Sequence, residues 1–288
     1  MQDLDNIIER SQIFWNERAA KSDIWTVPFL DLNPEELRKF ANAEQAGFHP
    51  PYGKISHPLW KKIHKMQYAD LHGKKVLCLA SGGGQQSAFL SLLGADVTVA
   101  DISQGQLDGD IRAAEHYGYA IKTVLCSMTD LSAFADESFD LVYQPISICF
   151  VPDVAVVYRE VFRVLKKGGL YRVDHINPAT HPESYDNDID GWDESGFKIA
   201  SPYIGGPLRI DENGHENMTT GEPDIEHRHL FIDIFCNLTE AGFQIKYIWE
   251  DERNLVFSEN MPDNIIAGES YENGFAVCQR YIHTLSSK

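Results

Sequence analysis

The stretch that most constrains this chain runs from Lys74 to Asp174, where short apolar runs alternate with helical patterns. Lys75-Val76-Leu77-Cys78-Leu79-Ala80 is the first run. It leads into the glycine cluster Gly82-Gly83-Gly84 and then a helical pattern over Gln86–Leu93. Ala95–Ala100 reads as the next strand and 103–117 as a helix. Further strands fall near 121–126, 139–144 and 169–174, with a helix over about 153–165 before the last. Apolar strands alternating with helices imply parallel βαβ units with both sheet faces covered.

Outside this stretch the rhythm differs. Residues 1–73 suggest helices near 4–18, 34–45 and 57–70, with Asn33-Pro34-Glu35-Glu36 a good start for the second because Asn caps and Pro fits the first turn. Residues 176–225 carry Gly, Pro, Asn and Asp with little periodicity, too long for an ordinary connection. A helix over about 226–241 ends at Ala241-Gly242, followed by a strand at 243–249 and a last one at Phe275–Tyr281. Two late strands with no helix between them suggest an antiparallel pair at the edge of a parallel sheet. The expected fold is therefore α/β, a doubly wound, mostly parallel seven-stranded sheet. Its expected parts are an N-terminal helical cap (1–73), a core (74–175), an inserted cap (176–225) and a C-terminal completion (226–288).

Charge narrows the partners. With 25 basic against 43 acidic residues the formal charge is −18, and no basic stripe is available to displace counterions from nucleic acid. No run approaches the roughly 18 apolar residues of a membrane span. The opening MQDLDNIIER lacks the basic and apolar regions of a signal peptide, so a cytoplasmic location is expected. Five cysteines, odd in number and without a CxxC pair, read as reduced thiols and not as disulfides or a zinc site.

The first strand, its glycine turn and the following helix bring backbone N–H groups toward a ligand. Seventeen residues after Gly84 the second strand ends in Asp101, placed to accept both hydroxyl protons of a ribose. The turn alone is equally consistent with a ligand-free strand–helix connection, and Asp101 with a helix cap. Together they favour a nucleoside.

In these residues the chain resembles the class I S-adenosylmethionine (SAM)-dependent methyltransferases that modify small molecules. The glycine run stands at that family's first motif and Asp101 at its ribose-binding acid. Cys126-Ser127-Met128-Thr129-Asp130-Leu131 stands where the family contacts adenine, and Ser138-Phe139-Asp140-Leu141-Val142-Tyr143 matches its fourth strand. Leu165-Lys166-Lys167-Gly168-Gly169-Leu170 matches the turn into the fifth, and His227-Arg228-His229 through Ala241-Gly242-Phe243 its late helix and strand. The resemblance implies SAM as methyl donor, S-adenosylhomocysteine as product, and cofactor contacts from Ala80, Ser81, Gly82, Gly84, Asp101, Ile102, Ser127, Met128 and Gln144. The chain departs from the family pattern at Cys78, usually acidic, at Ala80, usually glycine, and at Ser127, usually Asp.

The acceptor is expected beyond the carboxyl ends of the strands, between Gln144–Phe150 and Asp174–Pro178. His175 is the candidate base, since an ordinary imidazole titrates near 6.5; a strand-end histidine bonded to backbone is the alternative. Asp174 is placed to orient it or to point into the loop. His227 and His229, two apart on an expected helix start, should face different directions. Trp15, Trp25, Trp60 and Trp192 lie in the accessory segments, as pocket walls or as ordinary packing. Two rivals share the fold: a nicotinamide-dependent oxidoreductase and a non-catalytic SAM- or metabolite-binding protein.

Overall fold

The computed structural model describes residues 4–45, 71–178, 191–193, 196–198, 205–207, 225–250 and 281–288. The helix expected at 57–70, most of the expected cap at 176–225 and residues 275–280 of the expected last strand lie outside them.

Two helices come first, α1 (Leu4–Ala20) and α2 (Pro34–Gln45). The second starts where Asn33 Oδ1 accepts the backbone N–H groups of Glu35 and Glu36 at 2.9 and 3.3 Å. The core then alternates as β1 (Lys75–Leu79), α3 (Gln86–Leu92), β2 (Asp96–Asp101), α4 (Gln104–Tyr117), β3 (Lys122–Leu125), β4 (Phe139–Gln144), α5 (Val154–Val164) and β5 (Leu165–Ile176). The short pairs β6 (Gly191–Asp193) with β7 (Gly196–Lys198), and β8 (Gly206–Pro207) with β9 (His227–Arg228), follow. The described chain closes with α6 (Phe231–Glu240), β10 (Gln244–Glu250) and β11 (Tyr281–Ser287).

Seven strands form one sheet in the order β10-β11-β5-β4-β1-β2-β3. β1 to β5 pair in parallel, while β11 pairs antiparallel with both β5 and β10. Because side chains alternate along a strand, the sheet feeds two separate cores. Cys78, Val99, Tyr143 and Leu170 face α2, α3 and α4. Leu77, Ala100, Val142, Tyr171 and Val173 face α5 and α6. On α5, Val157, Tyr158, Val161 and Val164 are fully buried, each apolar side chain contributing about 1.5–3 kcal/mol.

The expected antiparallel pair is present at the edge of the sheet as β10 and β11, while the extent of the last strand and the start of the late helix differ from expectation. The described part of the last strand, Tyr281–Ser287, runs past the expected end at Tyr281 and lies between β5 and β10. Burial explains why its pattern misleads: Thr284, Ser286 and Ser287 are buried along with Ile282 and Leu285, so polarity does not mark an exposed face. The late helix begins at Phe231 instead of 226, because His227–Arg228 is spent on pairing with Gly206–Pro207. Asp233 then closes the helix start by accepting the Leu230 N–H at 2.9 Å.

Candidate functional site

The turn after β1 is bent by a run of left-handed residues: Ala80 (φ 47°), Gly82 (75°), Gly83 (58°) and Gly84 (91°). Such angles cost an L side chain about 1–2 kcal/mol, and glycine very little. Space matters as much as angle. A Cβ on Gly83 would come within 2.5 Å of the Thr26 carbonyl, and one on Gly84 within 2.6 Å of the Gly109 carbonyl. Part of what these glycines admit is therefore the protein's own backbone.

Asp101 ends β2 beside this turn and is 5% exposed. Its Oδ1 accepts the Ser103 N–H at 2.9 Å, and the N–H groups of Ile102 and Ser81 also point at the carboxylate. Burial nevertheless outweighs these donors and lifts its carboxyl to about 7. The backbone joins the same strand ends, Ala80 N–H to Ala100 O at 2.8 Å and Cys126 N–H to Asp101 O at 3.0 Å. Ala80, Ser81, Gly82, Gly84, Asp101 and Ile102 are thereby brought together at one rim. Asp101 and Ser103 divide two roles between them: Ser103, not Asp101, supplies the cap of α4, its Oγ accepting from Gln106 N–H.

Helix α4 contributes residues that sequence reading missed. A Cβ on Gly109 would meet the Gly83 carbonyl at 2.5 Å, and one on Gly105 the Ala19 methyl at 2.6 Å. Glycine inside a helix costs about 1 kcal/mol relative to alanine; two of them one turn apart, within 104–117, were the available sign of a close approach. Asp110, next to Gly109, is fully buried beneath the glycine turn.

The N-terminal segment lies against the same rim. Gln12 Nε2 donates to the Ile102 carbonyl at 3.0 Å, and Asn16 Oδ1 accepts from Gly105 N–H at 3.1 Å and contacts Ser103 Oγ at 2.8 Å. Gln85 Nε2 reaches the Ile24 and Val27 carbonyls at 2.9 and 3.1 Å, and Phe29 N–H donates to Gly84 O at 3.2 Å. Farther along, Trp15 packs edge-on against Phe14 and Phe150, with ring centroids 5.4 and 5.3 Å apart. With Cys149, Ile176 and Ile225 these rings form an apolar cluster where α1 meets the segments after β4 and β5.

Ser127, Met128 and Gln144 take defined places. Ser127 Oγ bonds Thr129 Oγ1 at 2.8 Å and accepts the Thr129 N–H at 3.2 Å. Gln144, fully buried at the end of β4, accepts from Tyr171 OH at 2.5 Å and donates to Met128 Sδ at 3.2 Å. Its Nε2 also lies 3.4 Å from Ser147 Oγ. Gln144 and Met128 are thus joined, while Ser127 turns into its own loop.

The histidines depart from expectation. His175 is 1% exposed on β5, edge-on to the Tyr158 ring. Burial pushes its imidazole down to about 3, with Asp174 opposing and His229 and His283 adding to the effect, so the ordinary titration near 6.5 does not apply. Asp174 does not orient it, because neighbours on a strand face opposite ways; its Oδ1 instead pairs with His283 Nδ1 at 2.7 Å. His227 and His229 stack with ring planes 8° apart, since they lie on an extended segment, where residues two apart share a face. His229 is pushed down to about 4, by burial first and His227 second. Among the described residues no group of three or more His, Cys, Asp or Glu is placed to hold a metal ion. Nor is any helix there long and apolar enough to cross a membrane.

Comparison with known proteins adds three findings. The family described as a methyltransferase domain matches residues 77–173. The uncharacterized methyltransferase YbaJ of Bacillus subtilis (strain 168) is 36% identical over 256 residues, 89% of this chain and 95% of the relative. Among solved structures, a SAM-dependent methyltransferase from Mesorhizobium loti aligns with a TM-score of 0.63 at 18% identity, covering 81% of this chain and 99% of its own. Geranyl diphosphate C-methyltransferase from Streptomyces coelicolor A3(2), in complex with Mg2+, geranyl diphosphate and S-adenosylhomocysteine, aligns with a TM-score of 0.55 at 14% identity. It covers 98% of this chain and 97% of its own. At these identities the two structures speak to the fold.

Proposed function

The chain belongs to the class I SAM-dependent methyltransferases, and from that premise we propose that it methylates a small molecule held at the carboxyl-end rim of its sheet. The observation that carries this reading is the apolar cluster of Phe14, Trp15, Cys149, Phe150, Ile176 and Ile225, which adjoins the segments after β4 and β5. Aromatic walls beside a few polar groups suit a small organic acceptor. The formal charge of −18 suits nucleic acid poorly.

The residues at the rim fit the cofactor. The buried Asp101 carboxylate at the end of β2 has the ribose-binding place, and hydroxyl donors would offset the desolvation that lifts it. The turn Ala80–Gly84 offers backbone N–H groups to the methionyl part, Ile102, Ser127 and Met128 flank the adenine, and Gln144 faces the region between donor and acceptor. When bound, SAM supplies a methyl group made electrophilic by its sulfonium. The protein's own part is to align the acceptor with that methyl at roughly 3 Å and to exclude water. Residues 1–73 and 176–225 serve as caps in this reading.

His175 enters the proposal in reduced form. Neutral down to about pH 3 and 1% exposed, it is part of the wall on the acceptor side and takes no full proton at neutral pH. The acceptor must then arrive already nucleophilic, or lose its proton to solvent.

The test is calorimetric titration of the wild-type protein with SAM, S-adenosylhomocysteine and NAD(H), followed by a screen of small acceptors for S-adenosylhomocysteine release. Micromolar binding of both adenosyl ligands and turnover of an acceptor are expected. Binding of NAD(H) alone, or turnover confined to nucleic acid or protein, would overturn the proposal.

A further inference from the structure

Asp110 is the most deeply buried carboxylate of the rim and has no part in the cofactor contacts above. It projects from α4 at 0% exposure. Ser87 Oγ donates to its Oδ1 at 2.5 Å, and the Gly84 N–H also bonds the carboxylate. Its Oδ2 has no hydrogen-bond partner among the described residues. Burying an acid this completely is costly unless it holds something in place.

What it holds is the glycine turn. Gly82, Gly83 and Gly84 all take positive φ, and three successive glycines have more conformational freedom to lose than any other tripeptide. Their N–H groups keep one direction only if something anchors the turn. From β1 the side chain on this face is the fully buried thiol of Cys78, near enough to Asp110 for the two to interact. Helix α4 brings a carboxyl from the other side, and it comes this close because Gly109, where a Cβ would meet the Gly83 carbonyl at 2.5 Å, lets it touch the turn.

We propose that Asp110 is the positioning residue of the glycine turn, supplying from α4 the hydrogen-bonding carboxyl that β1 lacks at Cys78, and that the turn's grip on SAM depends on it. The inference rests on the rim being the SAM site. It differs from a packing role in one respect: the anchor should be transferable between the two buried positions.

The experiment measures SAM and S-adenosylhomocysteine dissociation constants, KM and kcat for Asp110→Asn, Ser87→Ala and the exchange variant Cys78→Asp/Asp110→Asn. Loss of this anchor should weaken both ligands roughly tenfold in Asp110→Asn, with kcat at saturating SAM nearly unchanged. Ser87→Ala should weaken them less, since the carboxylate keeps Gly84. The exchange should restore affinity to near that of the wild type. If Asp110→Asn fails to fold, the exchange variant, which keeps one buried carboxylate, decides alone. An Asp110→Asn protein that binds as tightly as wild type, or a folded exchange variant that binds no better than Asp110→Asn, would overturn the inference. A wild-type protein that binds no SAM would instead sink the reading of the rim itself.

Discussion

Two buried polar groups in this molecule are pushed toward neutrality in opposite directions. At the glycine turn, burial lifts the carboxyls of Asp101 and Asp110 to about 7. At the ends of β5 and β9, burial drops the imidazoles of His175 and His229 to about 3 and 4. The cause is the same, since desolvation disfavours whichever form is charged. The surroundings differ. The two carboxyls face N–H and O–H donors from Ser81, Ile102, Ser103, Gly84 and Ser87. The histidines have other histidines nearby: His229 and His283 raise the cost of charging His175, and His227 that of charging His229. One pair sits among hydrogen-bond donors; the other is a neutral polar plug in the wall.

The largest effect that could break this contrast is at Asp101. Asp101→Ala should lose SAM affinity roughly 100-fold, because two charge-assisted hydrogen bonds disappear together, whereas His175→Gln should leave it nearly unchanged. Calorimetry on both variants compares them directly, and equal losses would erase the distinction. Next in size is Gly84→Ala. A methyl at φ 91° would also strike the Gly109 carbonyl at 2.6 Å, so a loss of about 2–3 kcal/mol in urea unfolding is expected.

The contrast is sharpened by pH in the absence of ligand. Asp101 and Asp110 are raised above the ordinary 3.8, so their contribution to stability is present below that value and is lost as pH rises through about 7. His175 and His229 lie below the ordinary 6.5, so theirs is present above 6.5 and is lost as pH falls toward 3–4. Unfolding free energies at successive pH values should show Asp110→Asn flattening the loss between pH 4 and 7. His175→Gln should flatten the loss on the acid side. If each variant changes the other's limb, the assignment is reversed. The smallest expected effect is that of Ser127→Ala. Ser127 bonds within its own loop to Thr129, and about a threefold change in SAM affinity follows from losing one neutral hydrogen bond.

The core was legible because its signals are local. Val76–Leu79 and Leu141–Tyr143 are apolar on both faces, as a strand between two helix layers must be, and Asn33 stands where a cap is needed. The last strand was legible only as a type of element: Tyr281–Ser287 buries threonine and serine through contacts with β5 and β10 that no local pattern announces. Likewise the segment from His227 looked helical because the pairing partner of His227–Arg228, Gly206–Pro207, is remote in the chain.

The sequence by itself determined the parallel βαβ order, the glycine turn and the acid that ends β2, because period, left-handed turns and strand ends are written in neighbouring residues. Only the tertiary structure decided that His175 is too deeply buried to titrate near neutrality, that Asp174 serves His283, and that Gly109 brings α4 and Asp110 against the turn. Those outcomes depend on desolvation and on contacts between distant segments, quantities that exist only after the chain has packed.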